Sequence, residues 1–424
     1  MLASVLPNVS KIKRSLIEKY KNMCKRFVSF ILVALSALPL LAQKEGFSYK
    51  IYGQVRNDLY FNSRQNNESV DGALLSFPKP KNLDPAGEDI NGVSNLNFYN
   101  MHTRLGVDVT GPALGNWKTS AKVEFDFRGS STTLGIVRMR HAYFQLANGG
   151  SSLLVGQTWH PLNNTVTTEL MNLNVGAPYQ PLGRAPQIHY QYQDQAVKFR
   201  AAMIWQAQVA SMGPGNTRSR EYLRNSKLPE LFASFDVRHE NSTLGLAVHY
   251  MSIAPRIKTD EGFKTDERVN SLTLEAHGRY QKDLLTISAK SFLSQNFNQA
   301  NGLGGYGVTS TDPRTGKKEY APLRISHSWL NIMYGKKWRG GAFLGYLKNL
   351  GATKQVSELV GVGTNVDQLA TASAELTYNI PGWKFGVEYN YTTAWYGTPD
   401  HKGRVKNTYD VSNHRLVFGA MFMF

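Results

Sequence analysis

The chain has 424 residues, 42% of them apolar, with 48 Lys/Arg against 31 Asp/Glu and a mean hydropathy of -0.35. That length can bury a sizeable core, yet the low hydropathy excludes a bundle of membrane helices, since each span needs roughly 20 consecutive apolar residues. A net charge of +17 leaves nucleic acid, anionic lipid headgroups and anionic solutes as candidate partners.

The one long apolar run comes first in chain order. Lys25 and Arg26 precede Phe27 to Leu41, and the run ends at the small residue Ala42. A basic start, a short apolar stretch and a small-residue exit predict a secretory signal peptide over 23–43, cut near Ala42 or Gln43. Residues 1–22 have no place in such a signal, and with Met23 following they read as a gene-start extension. Residues 1–43 hold seven of the Lys/Arg and one of the Asp/Glu, so 41 basic and 30 acidic side chains remain, a balance of +11. Export makes nucleic acid the least expected partner. Cys24 precedes the apolar run, so the exported chain has no cysteine, and a closed wall or packed core must supply its stability without disulfides.

From residue 46 the sequence alternates. Phe47, Tyr49, Ile51 and Val55 share one parity, and Lys50, Gln54, Arg56 and Asp58 the other. Trp117, Thr119, Ala121, Val123, Phe125 and Phe127 interleave with Lys118, Ser120, Lys122, Glu124, Asp126 and Arg128, which is period two and predicts a strand with one oily face. Trp383, Phe385, Val387, Tyr389 and Tyr391 repeat the pattern, and Trp395 shares their parity. Short turn signals at 111–116, 148–151, 194–195, 240–242, 282–283, 339–341 and 381–382 separate longer polar stretches at 63–95, 160–185, 211–228, 254–267, 297–326, 351–367 and 397–413.

Short connections alternating with long ones predict an all-β fold over 44–424. The expected architecture is a transmembrane antiparallel up-and-down β-barrel with short periplasmic turns and long outer loops. We count about 16 strands. Fourteen or eighteen stay open, because the alternation slips near 135–147 and 327–338. A soluble sandwich or propeller also has short alternating strands, but the ordered loop lengths and the aromatic share of the apolar face favour a wall that meets lipid. In the last segment Leu416, Phe418, Ala420, Phe422 and Phe424 share a parity. An oily edge strand is an aggregation hazard until it closes against the first strand. Phe418, Phe422 and Phe424 are therefore read as an assembly signal.

The stretch Arg138-Met139-Arg140-His141-Ala142-Tyr143-Phe144-Gln145-Leu146, the turn Asn148-Gly149-Gly150, and Leu154-Val155-Gly156-Gln157-Thr158-Trp159 resemble the segments before the third loop of porins. The likeness is strongest to the DcaP-like and phosphate-porin group, whose members form sixteen-stranded trimers. It covers most of the exported chain in layout, but only residues 135–160 and the C-terminus in motif. The resemblance implies an integral outer-membrane location, a homotrimer, and a third loop around 160–185 that folds inward and narrows the pore. This loop carries one acid, Glu169, where general cation-preferring porins carry a cluster.

Strand parity nominates the lumen lining. Even positions place Arg56, Arg104, Lys118, Lys122 and Arg128 inside against Asp58, Asp108, Glu124 and Asp126, and Arg138 and Arg140 follow on one parity without an intervening acid. Lys198 and Arg200 face inward beside Val197, Phe199 and Ala201. The bland reading of each charge is an ordinary solvated strand face, paired with a nearby acid. The expected function is a water-filled channel for passive diffusion of small polar solutes, with a preference for anions. A barrel for adhesion or assembly, or a phospholipase-type barrel enzyme, is the alternative, though no outward Ser/His pair, His-Glu-x-x-His run or Gly-x-Ser-x-Gly elbow supports catalysis. Gly302, Gly304 and Gly307 have dinucleotide spacing but lie in a loop without a βαβ context. The histidines show no metal-ligand spacing. Expected partners are outer-membrane lipid, lipopolysaccharide, the barrel-assembly machinery and small anionic or polar solutes, with no cofactor or metal.

Overall fold

The computed structural model describes residues 46–129 and 135–424, so the expected signal peptide and gene-start extension lie outside the described residues. Sixteen antiparallel strands form the wall. They are β1 (Ser48–Asn62), β2 in two pieces (Asn95–Tyr99 and Arg104–Leu114), β3 (Trp117–Asp126) and β4 (Arg138–Asn148). Next come β5 (Ser151–Trp159), β6 (Arg184–Gln193), β7 (Val197–Ile204), β8 (Glu230–His239) and β9 (Ser242–Ile253). The circuit continues through β10 (Val269–Lys282), β11 (Leu285–Gln295), β12 (Arg324–Gly335) and β13 (Trp338–Gly351), then β14 (Val366–Ile380), β15 (Trp383–Pro399) and β16 (Val405–Met423). Each strand pairs with the next, and β16 returns to β1 from Gln54↔Met423 to Asn62↔Arg415, so the sheet closes and has no free edge.

Parity decides the two faces. Tyr49, Ile51, Val55, Leu59 and Phe61 are exposed on the outside of β1, while Arg56 and Asp58 are buried inside. The slip of alternation at 135–147 has a backbone cause: Glu124 pairs with His141 but Phe125 with Met139, so Arg140 is an extra residue in a β-bulge. The bulge turns both Arg140 and His141 inward. Near 327–338 the register is regular, and the alternation blurs because inward Trp329 and Met333 are apolar, with Trp329 packing on a loop inside the barrel.

Seven connections are two- or three-residue turns at 115–116, 149–150, 194–196, 240–241, 283–284, 336–337 and 381–382. Gly115, Gly149 and Gly382 take positive φ there, as the twist of a tight hairpin requires. Two sequence expectations are corrected. The turn read at 339–341 lies at Lys336-Lys337, and Gly340 and Gly341 are inside β13, where a Cβ on Gly341 would come within 2.6 Å of Met333 Sδ. The long loop read at 397–413 is a short return of residues 400–404, because β15 and β16 continue as a paired hairpin past the wall.

At the other end the loops pack on one another. The loop after β1 forms the hairpin Asn66–Ser69 with Leu74–Pro78, and its Phe77 joins Val166, Tyr179, Leu303 and wall residues in the largest buried apolar cluster. Two further loops share the sheet of Gly304–Thr311, Lys318–Pro322 and Leu359–Val362. Arg256 grips Glu267 through two bonds of 2.8 and 2.9 Å, while Glu267 also accepts from the Lys318 backbone N–H and the Tyr320 hydroxyl, both at 2.8 Å. Burial works against the Glu267 charge, but these donors outweigh it and hold its carboxyl below the usual glutamate range. A depressed carboxyl stabilises above its unfolded value, about 4.3, and the contribution is lost as pH falls through the lower folded value. Hydrogen bonds to a charged group contribute about 1.5–3 kcal/mol each, so acid raises amide exchange across 254–268 at least about tenfold beyond the intrinsic pH effect. Glu267→Gln is expected to exchange fast at neutral pH and to lose that acid response; exchange measured by mass spectrometry checks both.

Candidate functional site: the lumen and its inward loop

Residues 160–183 leave the wall after β5, cross the barrel interior and return at β6, so the loop expected at 160–185 ends two residues earlier, with Arg184 and Ala185 opening the strand. Its departure depends on Gly156. That residue sits at φ +132° opposite Tyr143, and a side chain there would collide with the Ala142 carbonyl. The loop opens with the single helical turn α1 (Pro161–Asn164), and His160 N donates to the Gly183 carbonyl at 3.0 Å to close its root.

Wall side chains then hold the loop backbone along its length. Lys290 Nζ donates to the Leu162 carbonyl at 2.6 Å, and Arg200 Nη1 to the Asn164 carbonyl at 3.1 Å. Further on the polarity reverses: Asn331 accepts from Glu169 N at 2.8 Å, and Glu375 and Glu388 accept from Met171 N and Asn172 N, each at 2.7 Å. Glu375 and Glu388 are directly opposed on β14 and β15, an arrangement like charges resist unless they share donors. Arg56 donates to the Met171 carbonyl. Tyr179 stacks into the wall over Gly345, reaches Thr371 at 2.9 Å and lends its carbonyl to His327 at 2.8 Å. The loop is thus strapped to β1, β7 and β10–β15. Its one acid, Glu169, meets Arg339 at 2.6 Å and Arg279 at 3.1 Å.

The facing wall, β1–β6, is basic. Arg56 pairs with Asp58 at 2.8 Å, Arg138 with Asp126 at 2.6 Å, and Arg140 with Asp126 at 2.9 Å and with Glu124. The sequence reading left Arg138 and Arg140 without an acid because none stands beside them on β4, and the structure corrects this: both acids come across the sheet from β3. Arg104 reaches Glu124 only at 3.9 Å and lies 2.8 Å from His102. Arg128 and Arg184 make no ion pair with a described carboxylate; Arg184 lies over the Trp159 ring at 3.6 Å and donates to Gln208 at 3.2 Å. The Nε atoms of Arg104, Arg128 and Arg184 are buried without a hydrogen-bond partner among the described residues. Six guanidiniums, including those of Arg56, Arg138 and Arg140, thus face the three carboxylates Asp58, Glu124 and Asp126.

The other nominated cations are spread wider. Lys122 pairs with Asp108 at 2.9 Å nearer the turn end, Arg200 with Asp236 at 2.8 Å, and Lys118 and Lys198 meet no described carboxylate at ion-pair distance. Arg184 was missed because it follows a loop with no strand parity to carry forward; a basic residue at the loop's return was the only signal. Above the loop, a cavity of about 1120 Å³ is lined by Arg128, Arg138, Arg218, Arg220 and Gln157 with Glu68 from the first hairpin. Burial raises the Glu68 carboxyl above its ordinary range, and Arg415 and Lys79 only partly offset this.

A closed sixteen-stranded barrel whose third long loop folds into a charged lumen defines the porin class of outer-membrane fold. Residues 38–260 match the DcaP outer membrane protein family, more than half of the chain, and the chain belongs to that family. The fold is similar to that of the outer membrane channel DcaP of Acinetobacter baumannii, with a TM-score of 0.65 and 16% identity over 90% of this chain and 99% of that one. It is also similar to OmpT of Vibrio cholerae (TM-score 0.54, 13% identity, 90% and 99% covered) and OmpF of Salmonella typhi (0.51, 10%, 89% and 98%). A search of curated protein sequences gives no match.

Proposed function

We propose that the chain is a passive diffusion channel for small polar solutes that prefers anions. The carrying observation is the excess of guanidinium over carboxylate beside the inward loop, six against Asp58, Glu124 and Asp126, with Arg128 and Arg184 unpaired, while Asp108 nearer the turn end is matched by Lys122. In a narrow aqueous path with low-dielectric walls a few fixed charges set ion preference, because the field is focused along the axis. The first long loop and the strapped third loop set the width. Planar-bilayer recording tests the reading: discrete conductance steps are expected, and a reconstituted barrel that never conducts would sink it.

The surroundings follow the same reading. The chain is exported through a signal peptide at 23–43 and faces its long loops outward. Its outer wall suits membrane lipid and lipopolysaccharide, and Phe418, Phe422 and Phe424 suit recognition by the barrel-assembly machinery. A homotrimer is favoured by Ile90, Val93, Ile136 and Val137, each more than half exposed in the loops beside β1–β4, where no lipid tail would cover them. One solved OmpT of Vibrio cholerae is described in a trimer form, at a TM-score of 0.52 and 12% identity.

A further inference from the structure

One buried cluster lies apart from the arginines of the β1–β6 wall. Glu230, the first residue of β8, is 1% exposed. Its Oε2 lies 2.7 Å from Nε2 of His249 on β9 and 3.3 Å from Nε2 of His160 at the root of the inward loop, and both histidines are buried. Its Oε1 accepts from Gln206 Nε2 at 2.8 Å, and Gln206 is fixed in turn by Ser211 N, which donates to its Oε1 at 2.9 Å. No described Lys or Arg comes within ion-pair distance of Glu230. A carboxylate taken out of water without a cation is costly, and two imidazoles and an amide supply none unless one ring is protonated.

We propose that His160 Nε2, His249 Nε2 and Glu230 Oε2 form a binding site for one divalent transition-metal ion of the zinc class. The three ligand atoms lie within 4.8 Å of one another. Two imidazoles and one carboxylate are a known zinc donor set, and around a tetrahedral ion with bonds of about 2.0–2.1 Å adjacent ligand atoms stand about 3.3 Å apart. The observed separations of 3.3 and 2.7 Å from Glu230 Oε2 are near that spacing, and the two histidine nitrogens, within 4.8 Å of each other, would close on the ion. Imidazole donors disfavour calcium and magnesium, which take oxygen ligands. Gln206 plays the part of the outer partner that orients a ligating carboxylate.

Binding at this place has a structural consequence. The site joins β8, β9 and the loop root, segments 70 and 89 residues apart in sequence from His160, so an ion there staples the inward loop to the wall. Without metal, Leu162 N donates to His160 Nδ1 at 3.3 Å, which places the ring proton on Nε2 toward Glu230. Metal at Nε2 moves that proton to Nδ1 and displaces this long cap, so occupancy is coupled to the α1 turn.

The test uses untagged, metal-stripped full-length barrel refolded in detergent and titrated with Zn²⁺ by calorimetry and with Co²⁺ by visible absorption. One ion per chain and a tetrahedral Co²⁺ spectrum are expected, both absent in His249→Gln and Glu230→Gln barrels that keep heat-modifiable mobility. Gln206→Leu retains all three ligands, so it reports on the site even where a ligand variant fails to fold; it should weaken affinity by about 10- to 100-fold. A wild-type barrel that holds no stoichiometric ion, or variants that bind as wild type does, would overturn the proposal.

Discussion

Phe424→Asp is expected to reduce assembled barrel in the outer membrane to a small fraction of wild type while precursor synthesis continues. The closing geometry shows why stability alone does not explain such a loss. Phe424 exchanges two backbone hydrogen bonds with Gly53, at 2.9 and 3.1 Å, and its ring lies over that glycine, where a Cβ would come within 2.6 Å of the ring tip. Substitution keeps both backbone bonds and the nine-residue register of β16 on β1. Phe418 and Phe424 are 49% and 59% exposed on the outer face, so their rings add little to the interior. A charge on the lipid face costs only about 0–1 kcal/mol near the interfaces. A barrel refolded in detergent should therefore melt close to wild type, whereas on the proposed reading assembly in cells needs the exposed oily edge to be recognised before it closes. Heat-modifiable mobility separates the cases: normal amounts of folded variant in membranes would remove the assembly role, and failure to refold in detergent would make the defect structural.

The wall was legible in sequence because alternation is a direct consequence of having lipid on one side and polar contents on the other. It was readable wherever the inner face is polar, as in β3, and blurred wherever the inner face has its own apolar partner, as at Trp329 and Phe343 under Tyr179. The bulge at Arg140 removed the rest of the signal locally, since one extra residue inverts parity. Loop lengths were read from Gly, Pro and polar content, and that measure fails where long strands run on as a hairpin beyond the membrane, as β15 and β16 do to Pro399 and from Val405.

The site was only half legible, for a different reason. Which cations point inward follows from parity; which acids meet them follows from register, and register is set by closure and bulges that no single strand encodes. Arg138 and Arg140 were singled out as a pair of charges without an acid, but Asp126 lies twelve and fourteen residues away on the neighbouring strand. His160, Glu230 and His249 converge from three elements, so no spacing within the chain announces them.

Those pairings change how ion preference should be tested. Neutralising Arg138 and Arg140 together strands Asp126 and Glu124, and breaking a buried pair from one side costs about 3–5 kcal/mol. A change in selectivity there would be confounded with a change in fold. Arg128 and Arg184 hold no carboxylate, so Gln at both positions removes two charges without leaving a buried acid alone. It cuts the local excess over Asp58, Glu124 and Asp126 from three charges to one. The wild-type channel is expected to give an anion-selective reversal potential across a KCl gradient, and the Arg128→Gln/Arg184→Gln channel a potential moved well toward zero at nearly unchanged conductance. The difference between them should shrink in strong salt, because the screening length falls from about 10 Å at 0.1 M to about 3 Å at 1 M. The neutral pair Arg138→Gln/Arg140→Gln should shift selectivity in the same direction but with a lower melting temperature, which the Arg128/Arg184 variant should not show. Cation selectivity in the wild type would end the anion reading. An unmoved potential in the Arg128/Arg184 variant would mean that ions pass on the other side of the inward loop, along the wall that carries Arg279 and Arg339.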